Sequence, residues 1–270
     1  MGTQERKGWR MIIGLTVLKN ATRMGYPWVE SILSVIDFVD HFHIGEGFST
    51  DCTYDVIKRL RWKYGDKISV SRFRWPRMDT GFAIGAATND ALNHVRKLGG
   101  KILYVQADEL WHPDSVAEMV RLADEDYDSY KVPFLHLEHN CQVIQEGAGY
   151  QWAIRMVSNE AQIISHRDAW TFEGVGRTLQ VMSLPHRLVH CNYCFWDNIP
   201  VKKRVQANVF YADLPHYDAA AGEAEALYQS HDEIPEMFLA TSSPFEEHLS
   251  PIFLPMLGQP RYVVREELLI

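Results

Sequence analysis

The chain has 270 residues, of which 46% are hydrophobic and 23% charged, and its formal net charge at pH 7 is -8. A chain of this length buries about 70 to 75% of the surface that it exposes when unfolded, so one large domain needs no disulfide or metal for stability. The acidic balance argues against broad binding of nucleic-acid phosphates. The apolar run over residues 11–18 is shorter than the roughly 20 residues that span a bilayer, so we expect no transmembrane segment.

Cysteine use and the N-terminus bear on the compartment. The four cysteines include one close pair, Cys191 and Cys194, and no second pair that would complete a zinc-binding motif. Residues 1–10 are polar and lack the cleavage pattern of a signal peptide. Because unpaired cysteines suit a reducing compartment, we expect a cytoplasmic protein.

The first half of the sequence alternates strand patterns with helix patterns. Strands are predicted over residues 11–17, 39–44, 67–73 and 101–105, and helices over residues 27–38, 53–64, 81–98 and 113–124. Gly65 and Gly99 stand where two of these helices end, as expected of C-terminal caps. Strands and helices that alternate at this spacing predict a mainly parallel sheet with helices on both faces.

The pattern changes after about residue 125. Strands are predicted over residues 130–137 and 151–164, and a helix over residues 202–211. The last fifty residues are rich in acidic residues, proline and alanine and show little periodicity. We therefore predict an α/β fold whose sheet becomes mixed, in one domain followed by a C-terminal extension.

Polar residues stand at the ends of the predicted strands and at the start of one helix. The carboxyl ends of parallel strands form the edge at which open α/β sheets bind ligands. Carboxylates placed there are suited to hold a divalent cation. The residues concerned are Thr16, Asn20, Glu46, Asn89, Gln106, Asp108 and Glu109.

The order and spacing of these segments resemble the donor half of GT-A fold glycosyltransferases, in particular family 2. Residues 45–53, Gly-Glu-Gly-Phe-Ser-Thr-Asp-Cys-Thr, match the family's Asp-x-Gly-Ser-x-Asp-x-Thr segment, with Glu46 where Asp is usual. Residues 88–92, Thr-Asn-Asp-Ala-Leu, match its helix segment. Residues 106–109, Gln-Ala-Asp-Glu, match the Asp-Ala-Asp that ends the fourth strand, with Gln106 in place of the first Asp.

The resemblance implies a fold and an activity. It implies a Rossmann-like GT-A domain over residues 1–212, with a nucleotide-sugar-binding half over 11–124, an acceptor half over 125–212 and an extension over 213–270. It further implies a UDP- or GDP-sugar donor and a Mn²⁺ or Mg²⁺ ion that bridges the donor diphosphate. The sugar would pass, with inversion, to a hydroxyl of a saccharide, a lipid carrier, a protein or a modified nucleobase.

The resemblance also implies roles for individual residues. Asp108, Glu109 and His190 would bind the metal, and Glu173, in preference to Asp168, would act as catalytic base. His136 and Glu138 alternate onto one face of a predicted strand and offer acceptor contacts or a second metal pair. Lys202 and Lys203 would cover the diphosphate. Donor contacts are expected from Thr16, Asn20, Glu46, Asn89, Gln106 and Lys203.

The same residues have other readings. Asp108 and Glu109 would also suit a helix N-terminus, His190 a structural histidine and Glu173 an ordinary surface acid. A nucleotidyltransferase shares the sheet and the metal acids, but residues 19–25 match its glycine-rich basic loop poorly. Outside enzymes, the alternative is a catalytically inactive module that binds nucleotide sugars, because Gln106 departs from the metal motif.

Overall fold

The computed structural model describes residues 11–75, 82–138, 143–145, 151–199, 201–202, 252, 254–256 and 261–270. Lys203, nearly all of the predicted helix over 202–211 and most of the predicted extension over 213–270 lie outside the described residues. In the described ranges, no helix combines the length and the apolar character that crossing a bilayer requires.

The elements follow the predicted alternation in the first half of the chain. The α-helices whose bounds lie within the described ranges are α1 (Trp28–Leu33), α2 (Thr53–Tyr64), α3 (Phe82–Val95) and α4 (Pro113–Leu122). The strands are β1 (Ile12–Leu18), β2 (His41–Glu46), β3 (Ile68–Arg72), β4 (Lys101–Tyr104), β5 (Glu109–Leu110), β6 (Ser129–Glu138), β7 (Val143–Gln145), β8 (Trp152–Ser158), β9 (Ile163–His166), β10 (Thr171–Gly174), β11 (Val181–Ser183) and β12 (Leu188–Tyr193).

The main sheet has the order β3-β2-β1-β4-β8-β6-β12-β5. The first four strands are parallel, whereas β8 runs antiparallel to both β4 and β6. β12 is parallel to β6 and antiparallel to β5, and the short strands β7 and β11 also pair with β6. β9 and β10 form a separate antiparallel pair. The predicted α/β fold, with a parallel sheet that becomes mixed in the second half, is confirmed.

The two faces of the sheet carry separate apolar cores. Ile13 and Leu15 of β1 belong to the cluster that contains α3, whereas Ile12 and Leu18 belong to the cluster that contains Trp28 of α1. This division follows from the alternation of side chains along a strand. All seven residues of β1 are buried, as expected for a strand in the middle of a parallel sheet covered on both faces.

Two predicted elements are divided in the structure. The predicted strand over 151–164 is two strands, β8 and β9, because the chain turns at Asn159, whose Nδ2 donates to the carbonyls of Val95 and Gly99, each at 2.9 Å. The predicted helix over 27–38 ends at Leu33, and a separate 3₁₀ turn follows at Ile36–Phe38.

Candidate functional site

The carboxyl ends of β1, β2 and β4 lie side by side. Leu18 of β1 is in register with Glu46 of β2, and Leu15 of β1 is in register with Tyr104 of β4. The pairing continues for one residue beyond β4, since Val105 N donates to Leu15 O at 2.9 Å. The segments that follow these three strands therefore leave the sheet at one edge, where α/β sheets bind ligands.

Asn20 ties the segment after β1 to the segment after β2. Its Oδ1 accepts a hydrogen bond from Thr50 N at 2.7 Å, and its backbone N donates to Ser49 Oγ at 2.9 Å. Asn20 has a φ of 52°, in the left-handed region that asparagine tolerates better than most residues. The side chain predicted to contact the donor thus shapes the edge of the site.

Glu46 is buried and turned toward Arg72. Its Oε2 accepts from Arg72 Nε at 2.7 Å, and its Oε1 accepts from Ser49 N at 2.5 Å. The Arg72 guanidinium lies 4.0 Å from the Phe48 ring centroid and 4.3 Å from that of Tyr54. Phe48 is 43% exposed and has a φ of 55°. Phe48 and Arg72, rather than the Glu46 carboxylate, therefore form the accessible surface at the end of β2.

Thr16 and Asn89, which were also predicted to contact the donor, are surrounded by other parts of the protein. Thr16 is buried within β1. Asn89 of α3 donates from Nδ2 to Ser165 O at 2.9 Å and accepts at Oδ1 from Ser165 N at 2.7 Å, which fixes β9 against α3. The structure therefore gives Asn89 a role in positioning β9.

Asp108 lies in the turn between β4 and β5, close to His190 and Lys202, which the sequence also predicted to lie at the site. Its Oδ2 is 3.6 Å from His190 Nε2 and 3.7 Å from Lys202 Nζ. His190 Nδ1 is in turn 2.9 Å from His136 Nδ1. The backbone holds this arrangement, because Cys191 N donates to Asp108 O at 2.7 Å. Asp108, His190, His136 and Lys202 form what we call the Asp108 cluster.

Burial keeps His190 neutral. It lowers the pKa of His190 to about 3, Asp108 raises that pKa, and His136, Lys202 and Arg155 lower it further. The His190 ring also stacks on Phe134, with centroids 5.1 Å apart. A neutral imidazole does not balance the charge of a carboxylate, so the positive charge beside Asp108 belongs to Lys202.

Glu109 is paired with Arg155. It is completely buried, and its two oxygens accept hydrogen bonds from Arg155, with Nη2 to Oε1 at 2.6 Å and Nε to Oε2 at 2.8 Å. Burial raises the pKa of Glu109, whereas Arg155 lowers it. Since both oxygens are engaged, we propose that Glu109 anchors Arg155 rather than binding a metal.

Gln106 and Asp168 connect the end of β4 to the turn after β9. Gln106 Nε2 donates to Asp168 O at 3.0 Å. Asp168 lies between Arg167 and Ala169, which have φ values of 49° and 62°. Left-handed residues on both sides of Asp168 represent stored backbone strain, which concentrates at functional sites.

Glu173 lies farther along the β9–β10 pair. It is in register with Ile164, and its carboxylate is 3.5 Å from His166 Nδ1. The side chain is 53% exposed. Asp168, the other predicted catalytic acid, is held by Gln106 through its backbone carbonyl, and its Oδ1 accepts from Trp170 N at 3.1 Å.

The Asp108 cluster does not fit the predicted divalent cation. Asp108 Oδ2 and His190 Nε2 are close enough to share an ion, but Lys202 places an ammonium beside the same oxygen. Glu109 is held by Arg155, and the Gln106 amide nitrogen is a donor. In the described ranges, no three His, Cys, Asp or Glu side chains are grouped to hold a metal ion.

Three features were not foreseen from the sequence. These are the pairing of Arg155 with Glu109, the contact of Lys202 with Asp108, and the approach of His136 to His190. A signal existed for the first, because Arg155 is the lone charged residue in the apolar strand β8 and a buried charge requires a partner. The other two join segments more than 50 residues apart, which local patterns do not connect.

No protein-family model matches the chain, and no curated protein matches it significantly. Among solved structures, the chain resembles S. aureus TarS in complex with UDP, with a TM-score of 0.43 and 14% identity over 82% of this chain and 72% of that one. It also resembles S. aureus TarS in complex with UDP-GlcNAc, with a TM-score of 0.44 and 11% identity over 74% of this chain and 67% of that one. A third similar structure is the mannosyltransferase PcManGT from Pyrobaculum calidifontis in complex with GDP-Man and Mn²⁺. Its TM-score is 0.45, with 11% identity over 87% of this chain and 79% of that one.

Proposed function

We propose that this protein is a glycosyltransferase that moves a sugar from a nucleotide diphosphate to an acceptor hydroxyl. The observation that carries the proposal is the position of the Asp108 cluster, at the carboxyl edge of the parallel strands and beside the link from Gln106 to Asp168. The edge at the carboxyl ends of the strands, where polar groups converge, is the usual place for a ligand in such a sheet.

Two parts of this edge would bind the donor, one its nucleoside and the other its diphosphate. Phe48 offers the nucleoside an exposed aromatic ring that can stack on a base, and Arg72, which lies against that ring, offers guanidinium N–H donors. The Asp108 cluster would receive the diphosphate. This arrangement suits UDP or GDP, and competition between the two nucleotides would identify the base.

The reaction breaks the bond between the anomeric carbon and the diphosphate oxygen and forms a bond from that carbon to the acceptor oxygen. Attack from the opposite face inverts the anomeric configuration, and the acceptor proton must pass to a base within hydrogen-bond reach. We assign the base to Asp168 rather than Glu173. The turn that carries Asp168 is held to Gln106 through the Asp168 carbonyl and has left-handed residues on both sides. Trp170 N orients the Asp168 carboxylate, whereas Glu173 is exposed and paired with His166.

The predicted Mn²⁺ or Mg²⁺ has no step in this proposal. In the described residues it would find Asp108 and His190 as ligands, with the ammonium of Lys202 beside them. The diphosphate is therefore assigned to groups of the protein. The acceptor class is left to product analysis, with saccharide, lipid carrier, protein and modified nucleobase as the candidates.

Release of nucleoside diphosphate from UDP- and GDP-sugars tests the proposal. Asp108→Asn should lower turnover about a hundredfold, because Asp108 holds the ammonium of Lys202 beside the diphosphate, and losing a group that stabilises developing charge usually costs about that much. Asp114→Asn is the matched control, because the side chain of Asp114 is 86% exposed on α4. If folded wild-type protein neither turns over nor is thermally stabilised by any nucleotide sugar, the proposal fails. Binding without turnover would instead identify a catalytically inactive module.

A further inference from the structure

Lys202 is a buried lysine at the edge of the candidate site. Its side chain is 3% exposed, its Nζ lies 3.7 Å from Asp108 Oδ2, and the same atom is 4.3 Å from the Tyr26 ring centroid. An ammonium removed from water is destabilising unless charged or aromatic partners compensate. The fold therefore holds a cation at the acid of the predicted metal motif.

The charges around Asp108 match one monovalent cation. A motif with two carboxylates balances a divalent ion, but Gln106 is neutral and leaves Asp108 as its acid. Glu109 is balanced separately by Arg155, at 2.6 Å. Among the described groups, Lys202 is the ammonium that lies beside Asp108, with Nζ 3.7 Å from Oδ2.

We propose that the ammonium of Lys202, held by Asp108, takes the place of a divalent cation and binds the donor diphosphate. Nucleotide binding then requires no metal. A lysine ammonium has three N–H donors, so Lys202 can donate to phosphate oxygens while its charge stays paired with Asp108, 3.7 Å away. As the sugar leaves, negative charge grows on the diphosphate next to this ammonium, which stabilises it.

This inference rests on the proposed function and specifies how its donor site works. Isothermal titration with UDP and GDP, in EDTA and in Mn²⁺, tests it on the full chain. We expect wild-type affinity to be unchanged by EDTA. Lys202→Met should weaken binding in EDTA about tenfold to a hundredfold, as for loss of a charge-assisted hydrogen bond, and Lys202→Arg should restore much of it.

The matched control is Lys58→Met, because Lys58 is an exposed lysine of α2 that also pairs with an acid, Asp55. It should bind nucleotide as the wild type does. If EDTA weakens wild-type binding more than tenfold and Mn²⁺ restores it, or if folded Lys202→Met binds as tightly as wild type, the inference is wrong while the proposed function stands. If neither nucleotide binds under any condition, the proposed function itself fails.

Discussion

Arg155 of β8 donates two hydrogen bonds to the Glu109 carboxylate of β5, from Nη2 to Oε1 at 2.6 Å and from Nε to Oε2 at 2.8 Å. Both side chains are buried, to 1% and 0% exposure. Arg155 Nη1 also donates to Ala169 O at 3.1 Å. The pair therefore fastens the segment after β4 and the turn that carries Asp168 to the same strand.

Arg155→Met should destabilise the protein strongly. It leaves Glu109 buried without its partner, for which the expected loss in the free energy of unfolding is about 3 to 5 kcal/mol. Urea unfolding measures this loss, and Arg155→Met combined with Glu109→Gln should recover part of it. The control Arg121→Met removes an exposed pair with Glu118 and should cost less than about 1 kcal/mol. Equal losses in the two arginine variants would contradict a structural role for Glu109.

Gly85→Ala should reverse the usual effect of this substitution in a helix. Helix propensity alone predicts a gain of about 1 kcal/mol. At Gly85, however, a Cβ would lie 2.5 Å from Arg167 O, so the turn that carries Asp168 must move. We expect lower stability by urea unfolding and slower donor turnover.

Ala86→Gly in the same helix is the control for Gly85→Ala. It should cost about 1 kcal/mol, as propensity predicts. A Gly85→Ala variant that is more stable than wild type and turns over donor normally would show that the contact with Arg167 is unimportant.

Substitutions of Asn20 should rank in the order asparagine, glycine, alanine. Both variants lose the hydrogen bond to Thr50 N, but alanine also strains the backbone at a φ of 52°, which costs on the order of 1 kcal/mol more. Urea unfolding and UDP affinity would both follow this order. Asn93, exposed within α3, is the matched control, and there alanine should be more stable than glycine. The same order at both positions would argue against strain at Asn20.

Glu30 should make stability fall as pH rises toward neutrality. Burial raises its pKa from 4.5 to about 7, although hydrogen bonds from the backbone and from Tyr262 lower it. The Tyr262 hydroxyl donates to Glu30 Oε2 at 3.0 Å. Since the folded state binds this proton more tightly than the unfolded state, stability is full below the unfolded pKa. It is lost as pH rises through the folded pKa, by on the order of 3 kcal/mol in all.

Unfolding free energies at about pH 5 and about pH 8 measure this loss. Glu30→Gln cannot ionise and should flatten the dependence. Glu125→Gln, at an exposed acid, should keep the wild-type slope. A slope that survives in Glu30→Gln would assign the effect to other groups.

The parallel half of the sheet could be predicted because its signals are local. Each apolar run there is closed by a turn or a helix cap, and β1, β2, β3 and β4 begin and end within two residues of the predicted positions. The division of residues 151–164 was missed because it depends on Asn159, whose amide bonds to the end of α3 more than 50 residues earlier. Side-chain partners at such separations leave no periodic trace.

The candidate site was predictable in part for the same reason. Asp108 lies in the turn after β4, which ends at Tyr104, and His190 Nε2 lies 3.6 Å from Asp108 Oδ2. The direction of the Glu109 side chain depends on Arg155, which no motif connected to it. Left-handed backbone positions are usually predicted from glycine, but here they are occupied by Arg167 and Ala169, so the sequence did not predict the turn around Asp168.

Strand β8 has a further consequence for how the chain can be divided. It supplies the neighbour of β4 on one side and of β6 on the other, so it joins the parallel half to the mixed half. A fragment that stops at residue 124 would leave the backbone groups of β4 as an open edge, and such edges recruit strands from other molecules. Expressed alone, the parallel half should therefore aggregate, and its partner strand is made only later in synthesis.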